Sequence, residues 1–156
     1  MLTVEKVLIL RAVPMFQRTP DHILADVARI LKEVALQANA ELIKEGDFGD
    51  CMFVIVSGAV RVHQGDETIA TLGPRDIVGE LSVLAPGPRS ASVTTTEPTQ
   101  LLRIDRNDFY DMMADRIEIV QGILSVLCDR VRGTTSHSQS LLPSLNAPMT
   151  PVSAVP

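Results

Sequence analysis

Residues 41–72 read ELIKEGDFGDCMFVIVSGAVRVHQGDETIATL, and their rhythm decides the fold. Apolar and β-branched side chains recur with a period near two, and glycine-centred turns interrupt them at short intervals. Glu41–Glu45 reads as a strand closed by the turn Gly46-Asp47-Phe48-Gly49-Asp50. Met52–Val56 is a second strand, ending at Ser57-Gly58. Ala59–His63 and Thr68–Leu72 flank Gln64-Gly65-Asp66-Glu67, which has the composition of a hairpin turn. Downstream, Gly73-Pro74-Arg75-Asp76 is another turn, and Ser90–Thr96 and Gln100–Ile104 lie on either side of Glu97-Pro98-Thr99. Turn signals spaced roughly every 8–12 residues predict a sandwich or barrel, most simply a jelly roll of about eight short antiparallel strands.

The flanks change period. Val4, Val7, Leu8 and Arg11 share one face of a short helix. Thr19-Pro20 carries a start signal, Thr as N-cap and Pro at the first helical position, and Ile23, Leu24, Val27, Ile30, Leu31 and Val34 follow at helical spacing. Beyond the roll, Asp105 is the expected N-cap of a helix over Arg106–Ala114, with Asp108 in its first turn, and a second helix runs from Asp115 to Arg132. The fold class expected is α+β: a jelly roll with N-terminal helices, a short helix inside it and two C-terminal helices. From Gly133 to Pro156 the chain has 24 residues without an Asp, Glu, Lys or Arg. That stretch is rich in Ser, Thr and Pro and reads as a disordered tail, leaving residues 1–132 as the working domain.

Composition narrows the function. Hydrophobic residues make up 46% of the 156, enough for one ordinary core. Lys and Arg number 14 against 19 Asp and Glu, a net charge of −5 without a basic block. Such a chain is a poor polyanion or membrane-surface binder, and 3% aromatic residues give few platforms for stacking single strands. No apolar run reaches the roughly 18–20 residues of a membrane span. Val7–Leu10 is preceded by Glu5 and cut by Arg11, unlike a signal peptide, so the expected compartment is the cytoplasm, with Cys51 and Cys128 as free buried thiols. His22, His63 and His137 lack metal-ligand spacing, and no Ser or Cys has an evident His partner. The expectation is no metal, no cofactor and no catalysis.

One stretch breaks the strand rhythm. Residues 77–92 read IVGELSVLAPGPRSAS. A helical turn starting near Gly79 would present backbone N–H groups to an anion, and glycine admits a ligand close to its backbone. Arg89, ten residues on, offers a planar fork that matches phosphate. Glu80, ionised, is a pure acceptor suited to a sugar hydroxyl. An acceptor for ribose and a fork for phosphate outline a nucleotide clamp.

Gly79-Glu80-Leu81 with Pro88-Arg89-Ser90-Ala91-Ser92 resembles the phosphate-binding cassette of the cyclic nucleotide-binding domain family, to which bacterial cyclic-AMP receptor proteins and protein kinase regulatory subunits belong. The resemblance covers about residues 5–132 and takes in Glu45-Gly46-Asp47, Val54-Ile55-Val56-Ser57-Gly58 and Asp105. It implies that Glu80 accepts the ribose 2′-OH and that Arg89 pairs with the exocyclic phosphate oxygens. Gly79 and Leu81 would offer backbone contacts at the short helix, and Ser82 is counted with them among the ligand-binding residues. Ser90 and Ala91 would offer N–H groups, and Ser90 its hydroxyl. Val62 and Ile69 would wall the base and ribose. Val78 stands where the family often has an aromatic, and Ser82 where alanine is common; neither change removes a polar contact. Ser90 does not decide between cyclic AMP, the first expectation, and cyclic GMP.

In the last helix Ile117, Val120, Leu124, Leu127 and Val131 are spaced 3, 4, 3, 4, a heptad seam, while Ile119, Ile123 and Val126 occupy another face. The expected partners are a cyclic nucleotide, a second copy of the chain through that seam, and an effector protein. By resemblance the helix caps the base, with Leu127 as the candidate cap. No helix-turn-helix follows Arg132, so a DNA-binding half is not expected. The rival expectation is a ligand-free scaffold of the same fold.

Overall fold

The computed structural model describes residues 1–79 and 83–137. Helix α1 (Thr3–Arg11), a 3-10 turn (Pro14–Phe16) and α2 (Asp21–Ile30) precede eight strands. These are β1 (Lys32–Leu36), β2 (Glu41–Ile43), β3 (Cys51–Ser57), β4 (Val60–Gln64), β5 (Glu67–Leu72), β6 (Ile77–Val78), β7 (Ser92–Thr95) and β8 (Thr99–Asp105). Helices α3 (Arg106–Asp115) and α4 (Ile117–His137) complete the chain described. The strands form two antiparallel four-stranded sheets, ordered β1-β8-β3-β6 and β2-β7-β4-β5. The expected α+β roll with its flanking helices is the architecture observed.

Three layers result, and β3 shows why. Its five leading residues, Cys51–Ile55, are all buried. Cys51, Phe53 and Ile55 point into the space between the sheets, joined there by Ile43, Val60, Val78, Val93 and Leu101. Met52 and Val54 point the other way, onto a core shared with Leu10, Phe16, Leu24, Val27, Phe109, Ile119 and Ile123 of the helices. Strand β8 divides likewise, Leu101 to one core and Leu102 and Ile104 to the other. The period of two thus sorts one apolar run into two cores.

Several local expectations are corrected. Val34 belongs to a strand, not to α2: the helix ends at Ile30, and Lys32–Leu36 pair residue for residue with Arg103–Thr99 of β8. Pairing with β8 satisfies the backbone groups of alternate residues there and overrides the helical spacing. Pro20, not Thr19, occupies the cap position of α2; the Thr19 side chain is buried instead. Asp105 precedes α3 but makes no side-chain cap. Its carboxylate is taken by Lys32 Nζ and by Arg103 Nε at 2.6 Å, bonds that hold it below the usual carboxylate range. On α1 the buried residue is Leu10, while Val4 and Leu8 are exposed. Ile77 and Val78 form a short strand against Val54 and Phe53. Cys51 is buried and Cys128 exposed, both as free thiols. Helix α4 continues to His137, five residues past its expected end, and the remainder of the expected tail lies outside the described residues.

Candidate functional site

A cavity of about 200 Å³ opens in the roll. Ile43, Val62, Leu72 and Val93 of the second sheet form its apolar wall, joined by Ile77 and Val78. Gly79, Arg89, Ser90 and Ala91 form its polar rim. Arg89 is the one charged side chain among the described lining residues.

Backbone bonds fix Arg89 before its side chain is considered. Its N–H donates to Asp47 O at 2.7 Å, and its carbonyl accepts from Gly46 N at 2.9 Å. Gly49 N donates to Gly87 O at 3.2 Å, and Phe48 bridges Pro88. The turn after β2 therefore grips the segment that carries the arginine. Gly46 has φ +90°, a conformation that glycine adopts at no steric cost.

The half-buried guanidinium rests on two backbone carbonyls. Nη2 donates to Cys51 O at 2.8 Å, and Nη1 to Gly79 O at 3.4 Å. Gly79 sits at φ +86°, and a Cβ there would stand 2.5 Å from Arg89 Nη1 and 3.0 Å from Cys51 O. The glycine thus leaves the space that the guanidinium fills. No described carboxylate lies within ion-pair distance of Arg89, so its charge is not neutralised by an acidic neighbour among those residues. Two carbonyl bonds leave spare N–H groups on a five-donor fork. The Cys51 thiol, 3.6 Å from Nη2, is pushed up from its usual value by burial, which favours its neutral form.

Five of the residues singled out from sequence meet at this cavity: Val62, Gly79, Arg89, Ser90 and Ala91. Glu80, Leu81 and Ser82 lie outside the described residues. Val83, fully buried on the helical side, anchors the chain immediately after them. Ile69 does not line the cavity and is 54% exposed. On β5 the half-buried residues are Ala70 and Leu72, so alternation turns Ile69 outward and Leu72 takes the wall position. Leu127 is exposed and lines no described cavity. Ile43, Leu72 and Val93 were missed; the inward phase of β2, β5 and β7 is the signal that marks them. The Cys51 and Gly79 carbonyls that seat Arg89 have no side-chain signature.

Helix α4 packs through Ile119 and Ile123, and Gly122 lets it approach the 3-10 turn: a Cβ there would stand 2.6 Å from Met15 O. Ile117, Leu124, Leu127 and Val131 are exposed on the helix, with Val120 half-buried. Among the described residues no three His, Cys, Asp or Glu side chains group to hold a metal, and no helix is long and apolar enough to cross a membrane.

An apolar slot whose one charged lining residue has no acidic partner among the described residues suits a small anion with an apolar body. The family model described as "Cyclic nucleotide-binding domain" matches residues 33–116. A CRP-like cAMP-activated global transcriptional regulator of Mycobacterium tuberculosis is 33% identical over 139 residues, covering 86% of this chain. The chain spans 62% of that relative's length. The N-terminal domain of a transcriptional regulator from Streptomyces coelicolor superposes with TM-score 0.73 at 31% identity, over 84% of this chain and 95% of that one. The regulatory domain of Toxoplasma gondii PKA, crystallised with cAMP, gives 0.66 at 30% identity, over 70% of this chain and 44% of that one.

Proposed function

The chain belongs to the cyclic nucleotide-binding domain family, and on that premise we propose that it is a cyclic nucleotide sensor, for cyclic AMP before cyclic GMP. The observation that carries the reading is Arg89, a cation without a described acidic partner on the rim of an apolar cavity. In this reading the Arg89 fork takes two exocyclic phosphate oxygens, and the Ser90 and Ala91 N–H groups and the Ser90 hydroxyl take the remainder of the phosphate charge. Glu80 accepts the ribose 2′-OH, and Gly79 and Leu81 add backbone contacts. Val62, with Leu72 and Val93 beside it, walls the base and ribose. The names of the relatives, activated by or crystallised with cAMP, support cyclic AMP as the first ligand to try.

The output is a change in the seating of α4. A ligand shifts an equilibrium only through its difference in affinity for two arrangements, so closure of α4 over the base, with Leu127 as the candidate cap, would transmit occupancy. The chain catalyses nothing in this reading. It works in the cytoplasm, where free thiols stay reduced, and passes its signal to a second copy or to an effector protein.

Melting with ligand tests the assignment. A ligand at 100 times its dissociation constant adds about 2.7 kcal/mol to the folded state, a rise of several degrees for a domain of this size. Cyclic AMP is expected to raise the melting temperature by that amount, and 5′-AMP to leave it unchanged. No shift with cyclic AMP or cyclic GMP would leave the fold as a scaffold.

The exposed seam Ile117, Leu124, Leu127 and Val131 supports pairing with a second copy. Sedimentation equilibrium is expected to give a dimer for the chain and a monomer for Leu124→Glu. A monomer for both rejects the seam as an interface.

A further inference from the structure

The β4–β7 ladder stops at the His63–Ser92 pair, one residue short of Ala91. Ser90 and Ala91 line the cavity with no strand partner among the described residues to set their peptide planes. One side chain takes over that task. Gln64, the last residue of β4, donates from Nε2 to the Ser90 carbonyl at 2.9 Å. Among the described residues neither the Ser90 nor the Ala91 N–H has an acceptor. The segments on both sides are held independently: the Arg89 backbone by Gly46 and Asp47, and the Ser92 hydroxyl by Glu45 N at 2.9 Å. The hairpin that carries Gln64 is itself stiffened by His63, whose ring nitrogens contact Gly65 O at 2.7 Å and Thr94 Oγ1 at 2.8 Å.

The carbonyl of Ser90 and the N–H of Ala91 belong to one peptide group. That group is planar and trans, so its C=O and N–H point in opposite directions. A donor that holds the carbonyl on one side therefore aims the N–H at the other. We infer that Gln64 is a positioning residue for the anion site: by holding the Ser90 carbonyl it presents the Ala91 N–H to the phosphodiester in the cavity. The inference rests on the cyclic nucleotide reading and extends it to a residue outside the cassette. Gln64 touches no phosphate. It acts by removing a peptide rotation that the ligand would otherwise have to freeze, which is preorganisation.

Gln64→Met keeps the length of the side chain and deletes the donor. Loss of one neutral hydrogen bond's worth of preorganisation corresponds to about 3–10-fold in affinity. The expected result by calorimetry is a 3–10-fold weaker dissociation constant for cyclic AMP, with the unliganded melting temperature unchanged. Nitrogen-15 relaxation of the unliganded chain supplies a ligand-independent readout: the Ala91 amide is expected to gain mobility in Gln64→Met while Val93 does not. An equal Ala91 order parameter in both proteins overturns the inference. So does an affinity within 1.5-fold, and in that case the reading of the site survives if the unsubstituted chain binds. A chain that binds neither cyclic AMP nor cyclic GMP removes the reading itself, and the inference with it.

Discussion

Replacing Arg89 by alanine is expected to weaken cyclic nucleotide binding by on the order of 10²–10³-fold while leaving the chain folded. The binding half follows from bond type. Hydrogen bonds to ionised groups contribute ~1.5–3 kcal/mol each, and a fork engaging two phosphate oxygens makes two, ~3–6 kcal/mol before water replaces part of them at this open rim, so about 3–4 kcal/mol is lost. The folding half follows from where Arg89 is held. The bonds of its backbone to Gly46 and Asp47 survive truncation, and the Cys51 and Gly79 carbonyls each lose one partner beside an open cavity that water can enter. Arg89→Lys keeps the charge and loses the bidentate geometry, so its affinity should fall between the two. Calorimetry that finds Arg89→Ala within threefold of the unsubstituted chain rejects the phosphate assignment.

Gly79→Ala is expected to act through the same arginine. At φ +86° an alanine brings backbone strain of about 1–2 kcal/mol, which lowers the melting temperature by several degrees without ligand. Its methyl also stands 2.5 Å from Arg89 Nη1. The guanidinium is the flexible partner in that contact and moves, and once displaced it no longer addresses the cavity. Affinity should fall by roughly 10–100-fold, part of the full Arg89 contribution. A double-mutant cycle separates the two effects. In an Arg89→Ala background Gly79→Ala should still cost stability but should cost almost no further affinity. Additive losses of affinity would mean that the added methyl obstructs the ligand directly, apart from the backbone contact of Gly79, and that position 79 does not act as the seat of Arg89.

Much of this was legible in the chain because strand and turn chemistry are local. The alternation through Met52–Val56 and the glycines at 46, 58 and 65 specify the roll, and each of those glycines has positive φ. Gly58 shows why its position tolerates nothing larger: a Cβ would stand 2.5 Å from Pro98 O and 2.7 Å from the Thr99 Cα. What escaped was decided by tertiary contact. Val34 fits a helical face and a strand equally well in sequence, and its pairing with Leu101 is what settles it. Asp105 has the composition of a cap, yet Lys32 and Arg103 claim its carboxylate. Ile69 shares strand β5 with Leu72, and only the strand's phase, turned near the bulge at Val62 and His63, shows which of them faces the cavity.

The candidate site divides along the same line. Gly79, Arg89, Ser90 and Ala91 were marked by residue type and spacing, and they meet at one rim. The groups that position them are mostly backbone: Cys51 O beneath the guanidinium, Asp47 O and Gly46 N about the Arg89 peptide. Carbonyls carry no side-chain identity, so no reading of residue types finds them. Gln64 is the exception, a side chain with a defined task, but its partner is again a carbonyl.

Titration of nitrogen-15-labelled protein with cyclic AMP tests the central claim most directly. If the phosphate is held at this rim, the Ser90 and Ala91 amides and the Arg89 Nε–H should show the largest downfield shifts, with Gly79 beside them and 5′-AMP producing little. Perturbations confined to α4, or absent from residues 79 and 89–91, would contradict it.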